Sequence, residues 1–234
     1  MEDTNRVKIE RHDAERRDRP SYTVAEAARY LSIPAPTLRA WFVGLDYPGQ
    51  YFRPVIQKAA ADDRRLSFTN LVEAHVLRAL RTKHGISMPN VRKAIEYVQT
   101  QLGIERLLID PQLKAGAGRM FLDRYSHLID LPTSGQLVIR SAFAHHLEAV
   151  VRNPVGVPVK LYPWMPNPLE EPRRTIVIDP EISFGAPVTA HRSISTAVLT
   201  NLVDAGVTLD DLATEYGLST AEVGDAIQFE RAAA

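Results

Sequence analysis

The chain has 234 residues, is 45% hydrophobic and 24% charged, and contains no cysteine. That length suffices for two modest domains, each with its own core, and the missing thiols exclude disulfides, thiol catalysis and thiolate metal sites. The formal net charge is zero, but it is unevenly placed. Between Arg19 and Ile109 there are 13 Lys/Arg against 7 Asp/Glu, a net of +6, whereas Ile194–Ala234 holds one basic residue against seven acids, a net of −6. Phosphate binding needs local positive charge whatever the total, so the N-terminal half suits nucleic acid and the last forty residues do not.

The opening MEDTNRVKIERHDAERRDRP is charged and has no apolar h-region. It predicts a flexible tail over 1–19 and a cytoplasmic protein rather than a secreted one. No apolar run approaches the roughly 20 residues that span a bilayer, so no membrane association is expected. From Tyr22 to Val43 the chain reads YTVAEAARYLSIPAPTLRAWFV. Thr23 can cap a first helix, with Glu26 completing a capping box; Ala27, Ala28 and Leu31 form its apolar stripe, and Ser32-Ile33-Pro34 breaks it. Pro36 suits the first turn of a second helix. Leu38, Trp41 and Phe42 give that helix a buried face, leaving Thr37, Arg39 and Ala40 toward solvent. Two short helices at a tight turn can lay the second in a DNA major groove.

Gly44–Gly49 reads as a turn-rich exit. Tyr51–Ile56 and Arg65–Phe68 read as two short strands around the loop QKAAADDRR, a hairpin whose basic tip would reach a phosphate or minor groove. A helix starts at Ser67 or Thr69, with Leu71, Val72, His75, Val76 and Leu80 on one face and Gly85 at its end. Another runs from about Met88 to Leu102, started by Ser87-Met88-Pro89.

In the middle region, Arg106–Ile109, Met120–Leu122, Gln136–Ile139 and Val159–Tyr162 read as strands, and Ser141–Val151 as a helix. Pro163, Pro166, Pro168 and Pro172 mark a linker. Then Thr175–Ile178 and Pro187–Thr189 read as strands, followed by helices at about Ser195–Asp204, Thr208–Tyr216 and Ser219–Phe229. Thr208 and Ser219 are N-caps with acids three residues on, and Gly206 and Gly217 end the preceding helices. The fold class expected is α+β and predominantly helical. Its parts are a winged helix-turn-helix over 20–104, a mixed middle over 105–165, and a β-hairpin with a three-helix, helix-turn-helix-like domain over 174–231.

Tyr22-Thr23-Val24-Ala25-Glu26-Ala27 and Thr37-Leu38-Arg39-Ala40-Trp41 resemble the phrases of MerR-type winged heads. Pro36 stands where a basic residue is common and Ala40 replaces an aromatic, and no long coiled coil follows. The C-terminal segment resembles a small domain of unassigned function found in VapB-like antitoxins beside PIN-type toxins. The matching residues are Ile178-Asp179-Pro180-Glu181-Ile182, Gly185-Ala186-Pro187-Val188, Arg192 and Ile194, then Leu202, Gly206, Leu212, Tyr216, Leu218, Glu222, Val223 and Ala226. Phe184 and Ala190-His191 depart from the glycine-rich and Gly-Thr-Arg patterns usual there. Together these resemblances imply a VapB-like type II antitoxin of the longer mycobacterial class. Such a protein would bind double-stranded operator DNA as a homodimeric autorepressor and neutralise a PIN-type ribonuclease. The alternative is a stand-alone MerR-like regulator with a ligand-sensing middle domain.

The DNA-binding candidates are Thr23, Ser32, Pro36, Thr37, Arg39, Arg53, Lys58, Arg64 and Arg65; the alternative for each is a polar group that faces only water. Asp62 and Asp63 can neutralise the loop basics, and Trp41 and Phe42 belong to the core. Arg173 and Arg174 are candidates to reach an acidic toxin pocket. Asp179 and Arg192 are candidates for a charge-assisted pair that fixes the hairpin loop. His145 and His146 are neighbours on a helix, about 100° apart, and cannot chelate one ion together, so no metal is expected. Asp179, Glu181, His191 and Arg192 cluster in sequence, but no nucleophile, phosphate loop or second acidic pair accompanies them, so neither an enzyme nor a cofactor is expected.

Overall fold

The computed structural model describes residues 16–48, 50–58, 63–79, 88–128, 133–167 and 170–232. Of the tail expected over 1–19, residues 1–15 lie outside them, as do Asp62, Leu80, the Gly85 helix end, the Ser87 helix start and Pro168; residues 16–18 are helical rather than a loose tail, with the Arg17 carbonyl accepting from the Thr69 hydroxyl at 3.3 Å. The chain is α+β and predominantly helical. It divides into two compact units, one made of Met1–Leu71 with Thr175–Ala234 and the other of Val72–Arg174.

In the first unit, α1 (Val24–Tyr30) opens on the expected capping box: the Thr23 hydroxyl accepts from Glu26 N–H at 3.2 Å, and the Glu26 carboxylate accepts from Thr23 N–H at 2.8 Å. Ser32 takes the left-handed turn at φ +49°. Next comes α2 (Ala35–Phe42), with Pro36 in its first turn and Leu38, Trp41 and Phe42 buried. A two-strand hairpin, β1 (Leu45–Tyr47) and β2 (Gln50–Phe52), then closes with Tyr47 opposite Gln50.

That hairpin corrects the expected one. β2 pairs with Leu45–Tyr47, where an exit turn was expected, and Pro48, which has no N–H to give a ladder, ends β1. Of the segment expected as the second strand, Leu66 instead forms an isolated bridge with Tyr22, its N–H donating to the Tyr22 carbonyl at 2.7 Å. Phe68 already belongs to α3 (Phe68–Arg78).

In the second unit, α4 (Met88–Leu102), α5 (Gly116–Leu128) and α6 (Thr133–Glu148) precede the pair β3 (Val150–Arg152) and β4 (Pro158–Leu161). Three expected strands are helical instead. Leu107–Ile109 is a 3₁₀ turn halted by Asp110-Pro111. Met120–Leu122 lies inside α5, and Gln136–Ile139 inside α6. The longer windows explain this: Ala117, Phe121, Leu122 and Tyr125 are buried, as are Ile139, Ala142, Phe143, His146 and Leu147. Both sets recur at three- and four-residue spacing, the helical period. Phe121 stacks on Phe143 with ring centroids 5.8 Å apart. The Glu73 carboxylate takes two bonds from Arg106, at 2.9 and 3.2 Å.

The C-terminal part of the first unit follows its reading closely. β5 (Ile176–Val177) pairs with β6 (Val188–Thr189), and α7 (Thr196–Asp204), α8 (Leu209–Tyr216) and α9 (Thr220–Ala232) come next. The Thr208 hydroxyl caps α8 through Asp211 N–H, Gly217 ends it at φ +64°, and the Ser219 hydroxyl accepts from Glu222 N–H. Leu199, Leu212, Val223, Ala226 and Phe229 form its buried centre.

Candidate nucleic-acid interface

Burial divides α2 cleanly. Leu38, Trp41 and Phe42 face inward, Ala35, Pro36 and Arg39 are exposed, and Thr37 and Ala40 are half-buried. The face left open therefore carries one guanidinium and one hydroxyl among small side chains. Trp41 anchors the segment after β2, its carbonyl accepting from Val55 N–H at 2.8 Å and Ile56 N–H at 3.0 Å. Lys58 lies with its ammonium 5.8 Å from the centre of the Phe42 ring.

The other sequence candidates scatter around this helix. Ser32 is exposed at the turn. Thr23 is exposed, but its hydroxyl is engaged with Glu26. Arg53 comes directly after β2 and is exposed. Arg64 and Arg65 lie on the connection into α3, not at a hairpin tip. Arg65 is held by Asp63, with Nη2–Oδ2 at 2.9 Å and Nε–Oδ1 at 3.2 Å. Those bonds keep the Asp63 carboxyl below its usual range, so Arg65 offers less than a full free charge.

Sequence reasoning missed how this head is held. Tyr22 is buried edge-on to Tyr30, with ring centroids 6.3 Å apart, and donates to the Gly185 carbonyl at 3.1 Å. Burial pushes the Tyr22 phenol upward, with the carboxylates of Asp179 and Glu26 adding to the effect. Arg29, on α1, makes an ion pair with Glu230 on α9, and the other Glu230 oxygen accepts from the Thr196 hydroxyl. Helix α9 touches α1 directly. Contacts this distant along the chain leave no local spacing to read.

The expected Asp179–Arg192 pair is replaced by two separate arrangements. The buried Asp179 carboxylate accepts from Glu181 N–H at 2.9 Å, a local Asx turn. Arg192 is exposed and donates to the Gly217 carbonyl at 3.3 Å. Arg173 and Arg174 are exposed at the end of the second unit, with the Arg174 guanidinium 5.4 Å from the centre of the Tyr162 ring. His146 is buried with Nδ1 2.8 Å from the Ala142 carbonyl, while His145 lies 3.7 Å from Glu148. Among the described residues, no group of three or more His, Asp or Glu side chains could hold a metal ion, and no helix is long and apolar enough to cross a membrane.

Comparison with known proteins places two domain families on this frame. Residues 20–95 match the family described as "Putative DNA-binding HTH domain", and residues 176–229 match "Protein of unknown function (DUF433)". Two curated Mycobacterium tuberculosis proteins resemble nearly the whole chain. "Putative antitoxin VapB45" is 25% identical over 231 residues, covering 90% of this chain and 93% of the relative. "Uncharacterized protein Rv2308" is 25% identical over 221 residues, covering 92% and 91%. The crystal structure of Rv2018 from the same organism superposes with a TM-score of 0.63 at 24% identity, over 89% of this chain and 97% of that one. The chain shares the Rv2018 fold. The 176–229 match lies within the first unit, whereas the 20–95 match begins in the first unit and runs into the second.

Proposed function

We propose that this chain is a DNA-binding antitoxin. In this reading it represses its own operator as a cytoplasmic homodimer and silences a PIN-type ribonuclease. The observation that carries the DNA half is the open face of α2, with Pro36, Thr37 and Arg39 outward and an apolar row fixing the helix behind them. The match of this segment to a DNA-binding family and the name of the relative VapB45 support the reading.

The head, 20–104, acts in the manner of MerR-type winged domains. Thr37 and Arg39 reach base edges, Thr23, Ser32 and Pro36 abut the backbone, and β1–β2 with Arg53 serves as the wing. Lys58, Arg64 and Arg65 add flanking phosphate contacts. Arg173 and the segment 174–231, Arg174 included, face the toxin, with Asp179 ordering the hairpin loop and Arg192 bonded to the Gly217 carbonyl. The middle, 105–165, joins the two along the chain. The experiment is co-expression with the product of the adjoining gene, purification by a tag on one partner, and titration on the DNA upstream of the operon. Co-purification with loss of the partner's ribonuclease activity and tight operator binding is expected; operator binding with no partner retained would remove the antitoxin half.

One observation favours a second reading, a stand-alone regulator with a ligand-sensing middle. The second unit has an open cavity of about 300 Å³, at the lower end of small-ligand sites. Leu113, Leu122, Phe143 and Leu147 line it, with Lys114 and Arg140 among its polar groups.

A further inference from the structure

Phe184 is 99% exposed, and it is not loosely held. Its backbone sits at φ 55°, ψ 28°, and its neighbours Ser183 and Gly185 are also left-handed, at φ 48° and 79°. Left-handed backbone is unfavourable for a residue with a bulky side chain, so the loop must be held by its bonds. Ile182 N–H donates to the Asp179 carbonyl at 3.0 Å, Gly185 N–H to Ile182 at 2.8 Å and Ala186 N–H to Ser183 at 3.0 Å. Tyr22 clamps the Gly185 carbonyl from the other side. A rigid frame therefore holds a benzyl group out in water.

Beside this ring lies an open cleft of about 660 Å³. Its apolar walls are Pro20, Phe68, Pro180 and Phe184. Its charges are Arg16, Arg19 and Arg65 against Glu181. Arg65 is shared with Asp63; among the described residues, the guanidiniums of Arg16 and Arg19 have no carboxylate partner.

We propose that this cleft is a docking site for an acidic segment of a protein partner. Phe184 anchors in an apolar pocket of the partner, and Arg16 and Arg19 pair with carboxylates beside it. The proposal rests on the antitoxin reading, which supplies the partner, and adds where on this chain it docks. Aromatic and arginine side chains together are the usual composition of binding hot spots. A nucleic-acid groove fits less well, because Glu181 would face phosphate and a benzyl group gains nothing from the sugar-phosphate backbone. A two-fold contact between copies of this cleft would set arginines against arginines.

The test uses the tagged full chain co-expressed with the product of the adjoining gene, as wild type, F184N and the pair R16E/R19E. Asparagine tolerates the left-handed backbone, so F184N removes the ring without straining the loop. The wild type is expected to retain the partner, and both variants to bind it at least tenfold more weakly, with melting temperature and operator affinity unchanged. Full retention by both variants overturns the docking site and leaves the antitoxin reading intact. A wild type that retains no partner overturns the antitoxin reading and the site with it. Loss of operator binding in R16E/R19E with the partner still held would make the cleft a DNA surface, and loss of self-association in F184N with the partner still held would make it a dimer contact; either overturns the proposal.

Discussion

Tyr22 donates its phenolic hydrogen to the Gly185 carbonyl at 3.1 Å, across 163 positions of sequence. The first residue before the helix-turn-helix is thereby tied to the hairpin loop of the C-terminal segment. Y22F removes the donor while keeping the ring, and leaves a buried carbonyl unsatisfied. A loss of about 1–3 kcal/mol is expected, read by urea denaturation with an unchanged m-value. G185A should cost more, because a Cβ there would sit 2.1 Å from the Tyr22 hydroxyl at φ +79°. If Y22F melted like wild type, the tie would carry no stability.

Glu230 extends the same coupling. It is buried, and its two oxygens serve Arg29 on α1 and Thr196 on α7. E230A leaves Arg29 without that partner and empties a buried site, so roughly 2 kcal/mol of destabilisation is expected; the half-exposed Arg29 can turn to water, which keeps the loss below the about 3–5 kcal/mol of a fully buried pair. R29A should cost at least as much as E230A, since it leaves the buried Glu230 carboxylate with the Thr196 hydroxyl but without its counter-ion. A double-mutant cycle on Arg29 and Glu230 should give a coupling of at least about 0.5 kcal/mol.

The second unit carries a buried histidine pair, His75 and His146, with ring centroids 4.8 Å apart. Desolvation holds His75 well below its usual range, reinforced by His146 and Arg78, and brings His146 down to about 4. An unfolded imidazole takes its proton near pH 6.5. The unfolded chain therefore binds more protons below that value, so stability is complete above pH 6.5 and falls as pH drops toward 4. For His146 alone the loss at pH 4 is on the order of 3 kcal/mol. Melting temperature between pH 7 and 4.5 should fall steeply in wild type and less in H146Q. Parallel curves would contradict the assignment.

The legible parts of the fold are those whose signals are local. The capping box at Thr23 and Glu26, the apolar row of α2 and the three C-terminal helices were readable because caps and helical period lie within a few residues. The middle region misled because four-residue apolar windows such as Gln136–Ile139 look the same in a strand and in a helix; only the spacing of Ile139, Ala142, Phe143 and Leu147 separates them. The hairpin slipped upstream because Leu66 is claimed by Tyr22, a long-range pairing invisible to spacing. In the candidate interface, Arg39 and Thr37 came from the motif. Tyr22 and Arg29 did not, since their partners lie in the C-terminal segment. Phe184 was noticeable as a departure from a glycine-rich pattern, but its exposure was not.

Gly118 tests the packing of α5. A Cβ at this position would lie 1.9 Å from the Leu113 carbonyl oxygen, a clash with backbone that no rotamer relieves. Although alanine is the better helix former, G118A should destabilise by about 1–3 kcal/mol. A neutral or stabilised variant would show that the Pro111–Lys114 turn yields easily.

The most direct test of the central claim is a fluorescence titration of the full chain on the DNA upstream of its own operon, at several salt concentrations, with wild type and R39A. Operator recognition through α2 predicts salt-dependent binding that prefers this DNA over a scrambled duplex. R39A, which leaves the buried face of α2 untouched, should lose about 1–3 kcal/mol of binding with an unchanged melting temperature. Equal binding to both duplexes, with R39A indistinguishable from wild type, would contradict it.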